Sequence, residues 1–203
     1  MRGIFVTGTD TGVGKTVVTG LLARYLSDGG YSVITQKWIE TGSKGFSKDI
    51  DMHLKLMGKR RKDIKDFLPH VSPYVFKFAS SPHLAAKLER ERINKDKIKK
   101  SFRVLQKRHD FVIVEGVGGA LVPYNEKRLV IDIAKELKLP VIVVAENRLG
   151  AINHTLLTIE AIKARKMKVV GVIFNDWRGK TDRKILKDNI RIIKKWIAGL
   201  KKI

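Results

Sequence analysis

The run Gly8-Thr9-Asp10-Thr11-Gly12-Val13-Gly14-Lys15-Thr16 sets glycines, a lysine and a hydroxyl in the order that phosphate binding needs. Glycines let successive backbone N–H groups converge on phosphate oxygens, and a helix N-terminus directly after them adds positive dipole. Lys15 then bridges the β- and γ-phosphates, and the Thr16 hydroxyl offers a ligand to Mg²⁺. Thr11, Gly12, Val13, Gly14 and Val17 complete the stretch expected to hold a nucleoside triphosphate. Five residues separate Gly8 from Gly14 where the usual motif has four. A plain glycine turn would account for the glycines, but not for Gly-Lys-Thr at a strand–helix junction.

Other residues with chemistry to offer stand at the ends of apolar runs. Lys37 follows Tyr31–Thr35, at the carboxyl end of a predicted parallel strand, where ligand sites form in open α/β sheets. Glu115 ends Phe111–Glu115 and precedes Gly116-Val117-Gly118-Gly119, the usual position of a direct or indirect carboxylate partner for a P-loop Mg²⁺. Leu149-Gly150-Ala151-Ile152-Asn153-His154 opens a predicted helix, whose free N–H groups suit a carboxylate. Asn175 follows the last apolar run with an amide that both donates and accepts. The five histidines (His53, His70, His83, His109 and His154) show no metal-ligand spacing and no evident acid–base partner, and read as structural or at most peripheral to the site.

The elements that must position these groups are legible from hydrophobic patterning. Short apolar, β-branched runs at Gly3–Thr7, Tyr31–Thr35, Phe111–Glu115, Pro140–Ala145 and Val169–Phe174 predict strands buried on both faces. Helix-period segments lie between and after them, at Lys15–Ser27, Asp51–Gly58, Pro82–Glu91, Asn94–Arg108, Val130–Leu137, Ala151–Lys166 and Asp182–Leu200. This alternation predicts a three-layer α/β fold of the P-loop NTPase type, a mostly parallel sheet flanked by helices. At 203 residues the expectation is a single domain over residues 1–203.

Composition narrows the function classes. With no cysteine, thiolate metal sites, iron–sulfur clusters and a cysteine nucleophile are excluded. No stretch has signal-peptide character or the apolar length of a membrane span, so a cytoplasmic location is expected. The formal charge is +22, which points at first to nucleic acid or an anionic surface. However, +19 of it lies in residues 44–108 and 176–203, outside the stretches holding most candidate site residues. Those basic segments carry acidic residues and apolar stripes at helical spacing, as solvated helix faces do. Neither a nucleic acid nor a membrane is therefore expected as partner.

Taken in order, GTDTGVGKT at 8–16, Lys37-x-x-x-Thr41-Gly42, SPHLAA at 81–86, VEGVGG at 114–119, RLGAINHTLLT at 148–158 and GVIFND at 171–176 resemble the dethiobiotin synthetase family. The resemblance implies ATP-dependent, Mg²⁺-dependent ring closure on 7,8-diaminopelargonic acid. One amine takes up CO₂, the carbamate is phosphorylated by ATP, and the second amine closes the ureido ring. It implies catalytic roles for Lys15 and Lys37, and substrate contacts from Thr41, Gly116, Val117 and Gly118. Leu149, Gly150 and Asn153 would bind the substrate carboxylate across the interface of a homodimer, and Asn175 with Asp176 would read the adenine edge.

A third Mg²⁺ ligand beside Thr16 and Glu115 is implied early in the helix after the second strand. Asp51 is preferred there over Asp49, which could serve as a plain helix cap. Departures from the family are Trp38 where a proline usually follows the lysine, Glu40 beside the substrate hydroxyl position, and the ending after Asp176. That ending lacks the family's further strand and Gly-x-Ile-Pro loop, so CTP and GTP are expected to compete with ATP in a binding assay. The runner-up is a partition- or division-type P-loop ATPase that grips DNA or anionic membrane through its basic helices. Against it, the phosphate loop reads Thr9-Asp10-Thr11 where such proteins carry an extra lysine.

Overall fold

The computed structural model describes residues 3–177, 179 and 181–199. In chain order its elements are β1 (Gly3–Gly8), α1 (Lys15–Asp28), β2 (Val33–Lys37), β3 (Ile39–Thr41) and α2 (Lys48–Leu56). A 3₁₀ segment (Arg61–Phe67) leads into α3 (Leu68–Val71), β4 (Tyr74–Phe76), α4 (Pro82–Leu88) and α5 (Lys95–Arg108). There follow β5 (Phe111–Gly119), β6 (Pro123–Asn125), β7 (Arg128–Leu129), α6 (Val130–Glu136), β8 (Val141–Glu146), α7 (Ala151–Ala164), β9 (Val169–Asn175) and α8 (Arg183–Gly199).

The main sheet has five strands in the order β2-β5-β1-β8-β9, every pairing parallel. Its strands alternate between two apolar layers. Phe5, Ile34, Val112, Val114, Val141 and Val143 face one, with Ile98, Phe102 and Leu105 of α5 and Ile131 and Ile133 of α6. Val6, Val33, Ile113 and Val144 face the other, with Ala23 of α1. Continuous apolar runs are what such double-sided burial demands.

All five predicted strands are present, with one shift. The second begins at Val33 and ends at Lys37, because the amide of the exposed Tyr31 still donates to the Leu26 carbonyl at 3.2 Å, closing the turn after α1. Lys37 is therefore the last residue of β2 and pairs in register with Glu115 of β5. On adjacent parallel strands, register partners project their side chains to the same face. Gly8 of β1 and Asn175 of β9 end their strands at the same edge, so the carboxyl ends present phosphate loop, lysine, glutamate and asparagine together.

Two small sheets escaped the sequence reading: the parallel pair β3–β4 and the antiparallel pair β6–β7. The first matters to the site. Trp38, between β2 and β3, is 1% exposed, stacks on Phe5 at 5.4 Å between centroids and donates its indole N–H to Gln36 Oε1 at 2.8 Å. A buried aromatic with its polar edge satisfied is a rigid anchor, so the chain leaving Lys37 is held firmly without a proline.

Candidate functional site

The loop after β1 turns through Gly12 (φ 75°) into Gly14 (φ 97°), both in the left-handed region that a side chain disfavours. At Gly14 a Cβ would also collide with the Asn175 amide, which donates to the Val13 carbonyl at 3.1 Å. The end of β9 thus rests on the phosphate loop, and only glycine leaves room for it. Lys15 opens α1 and curls back to the Asp10 carbonyl at 2.7 Å, while Val13 is buried beneath the loop.

At the foot of this loop four groups converge. Thr16 Oγ1 lies 3.0 Å from Glu115 Oε1 and 3.2 Å from Asp49 Oδ1. The Lys37 ammonium reaches Asp49 Oδ2 at 2.7 Å, Glu115 Oε1 at 2.8 Å and the Gly116 carbonyl at 2.9 Å, so all three of its donors are used. Glu115 Oε2 is taken by His53 Nε2 at 2.8 Å.

Charge follows geometry. For Glu115, burial alone would raise the pKa, but the Lys37 ammonium and the hydrogen bond from His53 outweigh it and hold the carboxyl at about 2. Burial likewise pushes the Lys37 ammonium toward neutrality, but Glu115 and Asp49 more than offset this and its pKa ends above the usual lysine value. Lys15, with fewer acceptors, is lowered to about 8, first by burial and then by the charge of Lys37. A bound polyphosphate favours the Lys15 ammonium and raises its pKa, so binding above pH 8 takes up a proton. ADP affinity measured in EDTA is therefore expected to be flat below about pH 8 and to weaken above it by up to ~10-fold per pH unit. Affinity that strengthens from pH 8 to 9.5 would contradict the assignment.

These groups border a cavity of about 930 Å³. Its phosphate end is lined by Thr11, Gly12, Gly14, Lys15, Thr16 and Val17, and its far walls include Thr41, Ser80, Ser81, Val117, Gly118 and Val122. Asn175 and Trp177 also line it.

A family model described as an AAA domain matches residues 2–198. An ATP-dependent dethiobiotin synthetase of Pasteurella multocida is 39% identical over 193 residues, spanning 95% of this chain and 90% of that protein. The chain belongs to the ATP-dependent dethiobiotin synthetase family. A second member, from Chlorobaculum tepidum, is 45% identical over 170 residues, 84% of this chain and 71% of its own. Among solved structures, a ParA family ATPase of Chlorobium tepidum aligns with a TM-score of 0.55 at 16% identity, over 95% of this chain and 79% of its own. The MinC:MinD complex of Aquifex aeolicus aligns at 0.55 and 18%, over 96% and 78%. Likeness at that level establishes the shared P-loop architecture alone.

Against the expectations for a dethiobiotin synthetase, one assignment needs correcting. Asp51 does not face the cluster: it is paired on the surface with Arg61, Nε to Oδ1 at 2.7 Å, and Asp49 occupies the inward place. The reason is where α2 begins. Ser47, not Asp49, caps it by accepting from the Ile50 amide at 3.0 Å, so the helix starts at Lys48 and its inward face carries Asp49 and, one turn on, His53. His53, read from sequence as structural or at most peripheral to the site, is fully buried against Glu115. Its spacing of four from Asp49 was the available signal.

Glu40 has a role that the sequence did not disclose. It lines the cavity beside Thr41, but its carboxylate accepts from the Ser43 and Ser47 hydroxyls and from the Lys48 and Asp49 amides at 2.8 and 3.3 Å, so its charge is committed to the start of α2. Glu40→Gln would turn an amide N–H₂ toward these donors, and is expected to lower unfolding stability by ~1–3 kcal/mol, read from the denaturation midpoint. An unchanged midpoint would mean the cap is dispensable. Among the remaining expected residues, Gly116 presents its carbonyl to Lys37. Asp176 follows β9 without lining the described cavity. Leu149 (77% exposed), Gly150 and Asn153 stand at the start of α7, outside the described cavity of their own chain.

Proposed function

We propose that this protein closes the ureido ring of dethiobiotin from 7,8-diaminopelargonic acid, CO₂ and ATP, releasing ADP and phosphate. The observation that carries the reading is the pairing of two buried lysines, Lys15 in the phosphate loop and Lys37 across from it, in a cavity that continues beyond the phosphate end. A P-loop ATPase needs the first; the second meets a second anion arriving at the γ-phosphate.

One substrate amine attacks CO₂ and loses a proton to give a carbamate. A carbamate oxygen then attacks the γ-phosphorus and ADP leaves. The second amine attacks the carbonyl carbon of the mixed anhydride, loses its proton and expels phosphate as the ring closes. Lys37, already desolvated and held by three acceptors, turns a donor from one of them toward the point where carbamate and phosphate approach and supplies positive field there. Lys15 and the loop N–H groups hold the β- and γ-phosphates. Thr41 and the Gly116–Gly118 backbone receive the reacting end of the substrate.

The donor set Thr16 Oγ1, Asp49 and Glu115 is all oxygen and carries two carboxylates, which fits Mg²⁺ shared with phosphate oxygens. When bound, Mg²⁺ supplies charge neutralisation on the phosphates.

Asn175, which lines the cavity, contacts the base, whereas Asp176 lies outside the cavity lining. Leu149, Gly150 and Asn153, which do not line their own chain's cavity, bind the substrate carboxylate in a homodimer whose partner completes the site. No helix among the described residues is long and apolar enough to cross a membrane, and we place the protein in the cytoplasm. The test is to supply diaminopelargonate, bicarbonate, Mg²⁺ and ATP and to quantify dethiobiotin and phosphate. Equimolar product and phosphate are expected; phosphate release that is independent of diaminopelargonate but stimulated by DNA would overturn the reading.

A further inference from the structure

Glu115 divides its two oxygens between different partners. Oε1 faces Thr16 and Lys37, and Oε2 faces His53 alone at 2.8 Å. A carboxylate offers only lone pairs, so His53 Nε2 must be the donor in this bond. The ring is 0% exposed, and its other nitrogen, Nδ1, has no hydrogen-bond partner. The imidazole is thus oriented by one polar contact, and that contact is Glu115. His53 lies one turn along α2 from Asp49, so one helix face carries both the second carboxylate of the cluster and the group that fixes the first.

We propose that His53 is a positioning residue which occupies Glu115 Oε2 and so leaves Oε1 as the single oxygen that glutamate offers to the nucleotide-bound Mg²⁺. Without it Oε2 loses its donor, the carboxylate can turn about its last bond to bring either oxygen toward Lys37 and Thr16, and the arrangement that receives the metal must be re-formed each time. Ligating carboxylates held by an outer hydrogen bond owe ~10–100-fold in metal affinity to it. The inference rests on the nucleotide and Mg²⁺ reading above, but not on the ring-closure chemistry.

The test uses the full chain and no diaminopelargonate, so its failure is separate from a failure of the ligase assay. Mn²⁺ affinity is read by EPR from the free-ion signal in the presence of saturating ADP, and ADP affinity is read independently in EDTA. His53→Leu keeps the volume but removes the donor, and is expected to weaken Mn²⁺ binding by ~10–100-fold with ADP affinity in EDTA unchanged. His53→Gln, long enough to donate to Oε2, is expected to restore most of it, whereas the shorter His53→Asn is not. If His53→Leu does not fold, the contrast between the Gln and Asn variants decides. Wild-type Mn²⁺ affinity in a folded Leu or Asn variant would overturn the proposal. So would an equal loss of ADP affinity with and without metal, which is the mark of a purely structural histidine.

Discussion

Lys37→Met is expected to lower turnover in dethiobiotin formation by roughly two to three orders of magnitude, the usual effect of removing one preorganised donor at the site of developing charge. Methionine fills a similar volume, so the loss isolates the ammonium. The same change strips Glu115 of its cation while the carboxylate stays 1% exposed. Removing one partner of a buried pair costs about 3–5 kcal/mol, so the apo variant should also melt earlier. Glu115 carries a linked pH signature: its pKa falls from 4.5 unfolded to about 2 folded, so its contribution is present above pH 4.5 and is lost as pH falls toward 2. In Lys37→Met burial prevails over the remaining partners, the folded pKa rises, and that acid-side contribution shrinks. Turnover within tenfold of wild type would show that the second lysine does not serve the reaction.

The second expectation separates two aspartates two residues apart. Asp49→Asn should raise the Mg²⁺ concentration required for half-maximal activity by at least ~10-fold, the lower end of what even outer-shell changes cost a metal site. Asp51→Asn should leave it where it is. Asp51 loses only a solvent-exposed pair with Arg61, worth ~0–1 kcal/mol. The reverse pattern would return the metal ligand to Asp51 and would require α2 to be rotated in the working enzyme.

That pair also shows where sequence legibility ended. The five core strands could be read because each is a run of branched apolar residues, although β9, at the sheet edge, is not buried on both faces as predicted and leaves Val170 and Ile173 exposed. The phosphate loop could be read because its glycines and Lys15 are contiguous. Lys37 and Glu115 were found because both end apolar runs, and their adjacency follows from parallel register.

A helix start is a subtler matter. Moving it by two or three residues rotates every later side chain by 200–300°, so the choice between Asp49 and Asp51 hinged on recognising Ser47 as the cap. Glu40 supports that cap from outside the helix, through a contact no local pattern contains. His53 was passed over because nothing in one strand of sequence says that a histidine is buried, or against what. The β3–β4 and β6–β7 pairs are only two or three residues long per strand, too short for periodicity to register.

The surplus of positive charge, by contrast, was prominent in the sequence and carries little of the chemistry. Much of it lines α5 and α8, where ion pairs such as Lys95 and Lys99 with Glu136 tie it to the surface. Two lysines with buried, directed contacts bear the proposed reaction.

The most direct measurement follows an oxygen atom. In a short single-turnover reaction with bicarbonate and dissolved CO₂ labelled with oxygen-18, the carbamate oxygen that attacks the γ-phosphorus leaves with the phosphate. The expected result is inorganic phosphate carrying one labelled oxygen per dethiobiotin formed. Phosphate with no excess label, alongside dethiobiotin production, would mean that ATP is not cleaved by a carbamate in this cavity, and would contradict the role assigned to Lys37 and Lys15.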